Sequence, residues 1–207
     1  LIKQRHELAF PAVALRVRIR HWRVWGANRF KRDGGRQVHS FVSRPSTPDV
    51  TETTPDFDAF DHETHMRRTF ELAREAADRG DLPFGSVLVR DDEIIATDSN
   101  HTNTEDDIRY HPELHLAHRA CREFTPAERA ETVMYTSTEP CPMCAGGIRQ
   151  AGFGRVVYSV SGDELREITG GEPNDGSAVI LDGSTDVVGG VEADAGRQLH
   201  VEFFGSE

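Results

Sequence analysis

Four side chains that could do chemistry together fall in two short pieces of this sequence, His111-Pro112-Glu113 and Pro140-Cys141-Pro142-Met143-Cys144. One imidazole and two thiolates suit zinc, which prefers a tetrahedron of nitrogen and sulfur ligands. A catalytic zinc takes three ligands from the protein and leaves the fourth position to water. His111, Cys141 and Cys144 make up that count, and Glu113 is not needed as a ligand. A lone C-x-x-C also serves redox sites and structural zinc. Joined to an upstream H-x-E, with proline before the first cysteine, it points to a catalytic metal.

Zinc held in this way lowers the pKa of a bound water to about 7, from near 16 in bulk. The hydroxide can attack an amidine carbon such as C4 of cytosine, C2 of guanine or C6 of adenine. The exocyclic nitrogen must then be protonated before it leaves as ammonia. A carboxylate beside the water can take its proton and pass it to the ring nitrogen and then to the amine. Glu113 is the candidate for that shuttle.

The surrounding sequence shows which elements must position these groups. Met66, Phe70, Ala73 and Ala77 recur at helical spacing, so 62–79 reads as an amphipathic helix ended by Gly80. Ser86 to Arg90 and Glu93 to Thr97 read as a hairpin turning at Asp91-Asp92, and Asn100 ends its second strand. A polar loop, 102–107, precedes a helix over 113–124 with Leu114, Ala117, Cys121 and Phe124 inward. Pro112 fits only the first turn of that helix, which puts His111 and Glu113 at its N-terminal end. His115 and His118 read as surface or satisfied histidines. Thr132–Thr136 reads as a strand, 137–140 as a loop, 141–150 as a helix with both cysteines in its first turn, and 155–159 as a strand. After residue 160 the pattern is weak, with short strands at 178–181 and 186–191 and an edge strand or short helix at 199–204. The order of elements predicts an α/β domain with a mixed sheet.

Composition bounds the setting. No apolar run approaches the ~18 residues that a membrane span needs. Three cysteines, two of them assigned, argue against a disulfide framework and for a reducing, cytoplasmic location. Charge divides the chain. Residues 1–45 hold 11 Lys and Arg against 2 acidic residues, a balance of +9; residues 46–207 hold 13 against 33, a balance of −20. Lys3 and Lys31 are the only lysines. The lysine-free acidic body is the surface expected of a halophile's protein, and a poor phosphate binder unless salt screens it. Residues 1–55 read as a basic, unstructured extension and linker, and 56–207 as the domain. The arm's Arg16, Arg18, Arg20 and Arg23, interleaved with Trp22 and Trp25, could alternatively contact nucleic acid or act as a targeting segment.

From about Asp61 to Ser159 the chain resembles the cytidine deaminase-like superfamily, whose zinc enzymes carry H-x-E…P-C-x-x-C. Within it, the chain is similar to the branch of guanine deaminases, fungal-type cytosine deaminases and tRNA adenosine deaminases. Pro83-Phe84-Gly85-Ser86-Val87-Leu88-Val89, Asn100 and Glu139-Pro140-Cys141-Pro142-Met143-Cys144-Ala145-Gly146 carry the likeness. It implies a three-layer αβα sandwich around a mixed sheet of about five strands. It further implies one zinc on His111, Cys141 and Cys144, catalysis by Glu113, Asn100 bonded to the base or its sugar, and a homodimer. Two departures stand out. Pro112 replaces the usual small residue, and Asp107-Ile108-Arg109-Tyr110 replaces Asp-Pro-Thr-Ala, which makes Tyr110 a pocket-lining candidate. Phe84 resembles the free-base members.

The expectation is a zinc-dependent deaminase of a small-molecule nucleobase or nucleoside, of guanine or cytosine type. Two alternatives stay open: a tRNA adenosine deaminase using residues 14–36 as its arm, and a catalytically inactive zinc-bound binding module.

Overall fold

A helix needs a start, a stop and an apolar face, and His62–Arg79 (α1) has all three. The Asp61 carboxylate accepts from the Thr64 amide at 3.1 Å, and Gly80 closes the helix with φ of 94°. Met66, Phe70, Leu72, Ala73 and Ala76 form its buried side. The computed structural model describes residues 55–171 and 176–205. The expected basic extension and linker, apart from Pro55, lie outside the described residues.

The next two strands, β1 (Gly85–Arg90) and β2 (Glu93–Ser99), pair antiparallel. Asp91 and Asp92 turn the hairpin with φ of 55° and 60°, the left-handed pair that a two-residue type I′ turn requires. Asp92 then fastens the turn to α1, accepting from the Asp61 amide at 3.0 Å and meeting His65 Nε2 at 2.7 Å. A single-turn α2 (Thr102–Glu105) and a 3₁₀ turn (Ile108–Tyr110) fill what reads in sequence as plain loop. They lead into α3 (Pro112–Glu123), α4 (Pro126–Ala130), β3 (Val133–Thr138), α5 (Pro142–Ala151) and β4 (Arg155–Val160). The chain continues through α6 (Gly162–Thr169), α7 (Ser177–Leu181), β5 (Asp186–Val188) and α8 (Ala193–Phe204).

The sheet runs β2-β1-β3-β4-β5, antiparallel across β2-β1-β3 and parallel across β3-β4-β5. Alternation along the strands sends side chains to two covered faces. Val87, Val89, Val133, Tyr135 and Val157 pack under Met66, Phe70 and Ala73 of α1 and Leu199 of α8. Leu88, Met134 and Val156 pack under Leu116, Ala117 and Ala120 of α3 and Ala145, Ile148 and Ala151 of α5. This is the expected αβα sandwich with five strands. Gly85 lets α1 lie directly on β1, because a Cβ there would stand 2.3 Å from the Thr69 carbonyl oxygen.

Three expectations need correction. Residues 178–181 are helical, within α7: Ser177 and Leu181 are buried four apart while Val179 is 71% exposed, a helical and not an alternating pattern. On α3 the inward face is Glu113, Leu116, Ala117 and Ala120, and Cys121 is exposed. The face lies one residue off the expected register because it must carry Glu113 inward. Ser137 and Thr138 extend β3, since Thr138 still pairs with Val160 of β4. Of the ambiguous 199–204 segment, the helical reading holds.

Asp81 pins the loop after β2. Its fully buried carboxylate accepts from the amides of Asn103 and Thr104 at 3.0 and 2.9 Å, from Thr104 Oγ1 at 3.0 Å and from Arg79 Nε at 3.1 Å. Arg79 also donates to the Asn100 carbonyl at 2.7 Å. Burial alone would push the Asp81 carboxyl up, but the hydrogen bonds from Thr104, Arg79 and Asn103 outweigh it and hold it below the usual range. Its contribution is therefore present above the unfolded carboxyl pKa near 4 and is lost as pH falls through the folded value. Asp81→Asn is expected to cost about 1–3 kcal/mol at neutral pH. In urea unfolding the deficit should shrink below about pH 4; a deficit that stays constant or widens there would contradict this role.

Candidate active site

Two helix starts build the site in the same way. His111 is the N-cap of α3 with Pro112 at its first position; Cys141 is the N-cap of α5 with Pro142 at its first position. Proline costs nothing there, because the amide it lacks would have no partner within the helix. Glu113 follows at the second position of α3. Cys144 comes three residues after Cys141, close to one turn, so both sulfurs face the same side. The two helices approach closely at Gly147, where a Cβ would stand 2.7 Å from Leu114 Cδ1.

The three ligand atoms converge. Cys141 Sγ and Cys144 Sγ lie 3.5 Å apart, and His111 Nδ1 lies 3.5 Å from Cys144 Sγ and 3.9 Å from Cys141 Sγ. Zinc–sulfur bonds near 2.3 Å and zinc–nitrogen bonds near 2.0 Å in a tetrahedron place ligand atoms about 3.5–3.8 Å apart. The donor set fits zinc in type and spacing. Among the described residues, this is the group of three or more metal-binding side chains whose ligand atoms all lie within 4.8 Å of one another.

Charge in the site is shared among coupled groups. The hydrogen bond with Cys144, with His111 adding to it, pulls the Cys141 thiol down to about 4. The bond to Cys141 raises His111 above its ordinary value, and Cys144 is pushed far up by its bond to Cys141 and by burial. A cation entering here displaces protons from these groups. Glu113 is 6% exposed, and burial raises its carboxyl above the usual range. Thr136 Oγ1 donates to Glu113 Oε1 at 3.2 Å.

Phe84, His111, Glu113, Thr138, Glu139, Cys141 and Leu165 line a cavity of about 100 Å³ beside these groups. The Asn100 amide donates to the Phe84 carbonyl at 2.9 Å, which joins the two residues. Asn100 is fully buried; its Oδ1 accepts from the Thr102 amide and hydroxyl at 3.0 and 2.8 Å, while Nδ2 has no partner among the described residues. Tyr110 lines a neighbouring cavity of about 380 Å³ with Arg109, Leu114, His115 and His118. His115 Nδ1 meets Asp98 Oδ2 at 2.6 Å, and His118 is exposed; neither joins the metal ligands.

Sequence reasoning passed over Thr136, Thr138, Glu139 and Leu165. The period-two alternation of β3 puts Thr136 on the Met134 face, toward α3, so that contact was legible. Glu139 falls in the stretch that carries the family likeness, with no role assigned to it there. It accepts from the Gly162 amide at 2.9 Å and from the Ser177 amide and hydroxyl at 2.7 and 2.8 Å, tying the starts of α6 and α7 to the cavity rim.

Comparison with known proteins agrees with this geometry. Residues 60–185 match the family model of the MafB19-like deaminases. The chain is 36% identical over 107 residues to guanine deaminase of Bacillus subtilis, covering 51% of this chain and 69% of that protein. It is 33% identical over 96 residues to the tRNA-specific adenosine deaminase of the same organism, covering 46% and 60%. Among solved structures, guanine deaminase from Nitrosomonas europaea shares the fold with a TM-score of 0.57 at 19% identity, covering 69% of this chain and 84% of that one. A structure from a study of tRNA:A34 deaminases superposes with a TM-score of 0.53 at 27% identity, covering 66% and 99%. With that family model matching more than half of its length, the chain belongs to the MafB19-like deaminase family.

Proposed function

We propose that this protein is a zinc-dependent hydrolytic deaminase of a nucleobase or nucleoside, of guanine or cytosine type. The observation that carries the reading is a His/Cys/Cys group of metal-binding geometry, two of whose members, His111 and Cys141, line one cavity with a buried glutamate. His111 Nδ1, Cys141 Sγ and Cys144 Sγ would hold the metal. When bound, zinc supplies Lewis acidity that makes water nucleophilic near neutral pH. The chain supplies the rest. Glu113, its carboxyl raised by burial and oriented by Thr136, takes one proton of the attacking water to the ring nitrogen, then takes the second, from the hydroxyl now on the ring carbon, to the leaving amine. The water oxygen ends on the ring carbon as a carbonyl, and the amine departs as ammonia. Phe84 offers an apolar wall for the ring. The unpartnered Asn100 Nδ2 offers a donor to a ring or sugar acceptor.

The guanine deaminase relative, covered over 69% of its length, and Phe84 in the cavity favour a free base. The tRNA enzymes among the relatives, with the basic residues 1–45, support tRNA adenosine as the second substrate reading. The inactive-module reading rested on Pro112, which occupies a helix position where proline is at home. A homodimer is part of the proposal through the family resemblance.

The test is ammonia release from a panel of bases, nucleosides and tRNA, run at high salt. Guanine or cytosine should be turned over, and Glu113→Gln should lose about 10²–10⁴-fold in kcat with zinc retained. Full turnover by Glu113→Gln would rule out the shuttle. Activity confined to tRNA, falling steeply with salt and lost on deleting residues 1–45, would replace the free-base reading by the tRNA one.

Cys141→Ala and Cys144→Ala are each expected to lose the metal and part of the fold's stability, since metal binding is coupled to folding. Elemental analysis with thermal unfolding checks this; unchanged zinc stoichiometry in either variant would contradict the ligand assignment.

A further inference from the structure

His200 sits on α8, beyond the 60–185 span that matches the deaminase family, and it is fully buried. A buried imidazole is costly unless its polar atoms find partners, and here Nδ1 has no hydrogen-bond partner among the described residues, which leaves Nε2 as its polar contact. Its Nε2 lies 2.6 Å from Thr138 Oγ1. Its ring centroid stands 5.6 Å from that of Phe84, tilted by 46°. Thr138 and Phe84 both line the cavity beside His111, Glu113 and Cys141.

The sequence of α8 explains this reach. Gly196 seats the helix against the sheet: a Cβ there would stand 2.3 Å from Ser159 Oγ and 2.9 Å from Val160 Cγ2. Val160 is the register partner of Thr138. His200 lies one helical turn beyond Gly196, on the same side of α8. Phe204, a further turn on, backs the imidazole with ring centroids 6.3 Å apart.

We propose that His200 is a positioning residue for substrate binding, fixing the Thr138 hydroxyl and the Phe84 ring so that the cavity presents a set polar and apolar wall to a planar base. The inference rests on the deaminase reading and extends it to an element outside the matched span. Burial pushes the His200 pKa down to about 4, so the ring is neutral at neutral pH and can hold the hydroxyl in one orientation.

The test uses the zinc-loaded full chain. Guanine and cytosine binding is read by calorimetry in the Glu113→Gln background, and KM and kcat in the otherwise native enzyme. His200→Phe keeps the ring contacts and removes the bond; it is expected to raise Kd and KM about tenfold while kcat and zinc content change little. His200→Gln, with an amide at the reach of Nε2, should recover most of the loss. Thr138→Val should match His200→Phe, and the double variant should lose no more than either alone. Unchanged Kd and KM in His200→Phe, or additive losses in the double variant, would overturn the inference. So would a joint fall in kcat and zinc content that His200→Gln does not rescue, since that marks a histidine needed only for folding. The two claims separate in this design. Base binding that depends on His200 without any ammonia release overturns the deaminase reading alone; turnover indifferent to His200 overturns the positioning role alone. A wild-type chain that neither binds nor turns over base overturns both.

Discussion

The starts of two helices lie side by side, at distances that suit the ligands of one metal ion, and this closeness is the constraint on which the rest of the site depends. His111 and Cys141 are both N-caps followed by proline, so each helix starts at a defined residue. The distances of 3.5–3.9 Å among three ligand atoms are set by how closely α3 and α5 pack. That packing depends on Gly147 against Leu114 and on small residues, Ala117, Ala120, Ala145 and Ala151, facing the sheet and one another. The sheet contributes by carrying Cys141 just past the end of β3, at the carboxyl edge where parallel strands leave open space for a ligand.

The same placement serves the electrostatics. The domain carries a balance of −20 over residues 46–207, a poor setting for concentrating thiolates and a carboxylate. Helix N-termini offset this locally, because their unpaired amides and aligned dipoles favour negative charge. Glu113 is also removed from water, which raises its carboxyl and makes it able to hold a proton as well as accept one. It lines the cavity together with His111 and Cys141.

Much of this was legible in the sequence, and what was not has a physical cause. The convergence of His111, Cys141 and Cys144 could be anticipated because zinc chemistry demands particular residue types at particular spacings. The hairpin and α1 could be read because turn and cap residues are local. The α3 face was misplaced by one residue, since a count of apolar side chains has no means of ranking Glu113 as inward. Residues 178–181 looked like a strand because a run of Ala, Val, Ile and Leu suits either element until the sheet edge is assigned to β5. Leu165 reaches the cavity, and His200 the Thr138 and Phe84 side chains behind it, only through tertiary packing of α6 and α8, for which no short-range pattern exists. Tyr110 precedes a ligand in sequence yet faces the neighbouring cavity, because the 3₁₀ turn before His111 rotates it away.

Zinc K-edge X-ray absorption on the purified protein tests the central claim most directly. The account predicts a four-coordinate shell with two sulfurs near 2.3 Å and two nitrogen or oxygen ligands near 2.0 Å, of which one is imidazole. A shell without sulfur, or a folded protein that takes up no zinc, would contradict it.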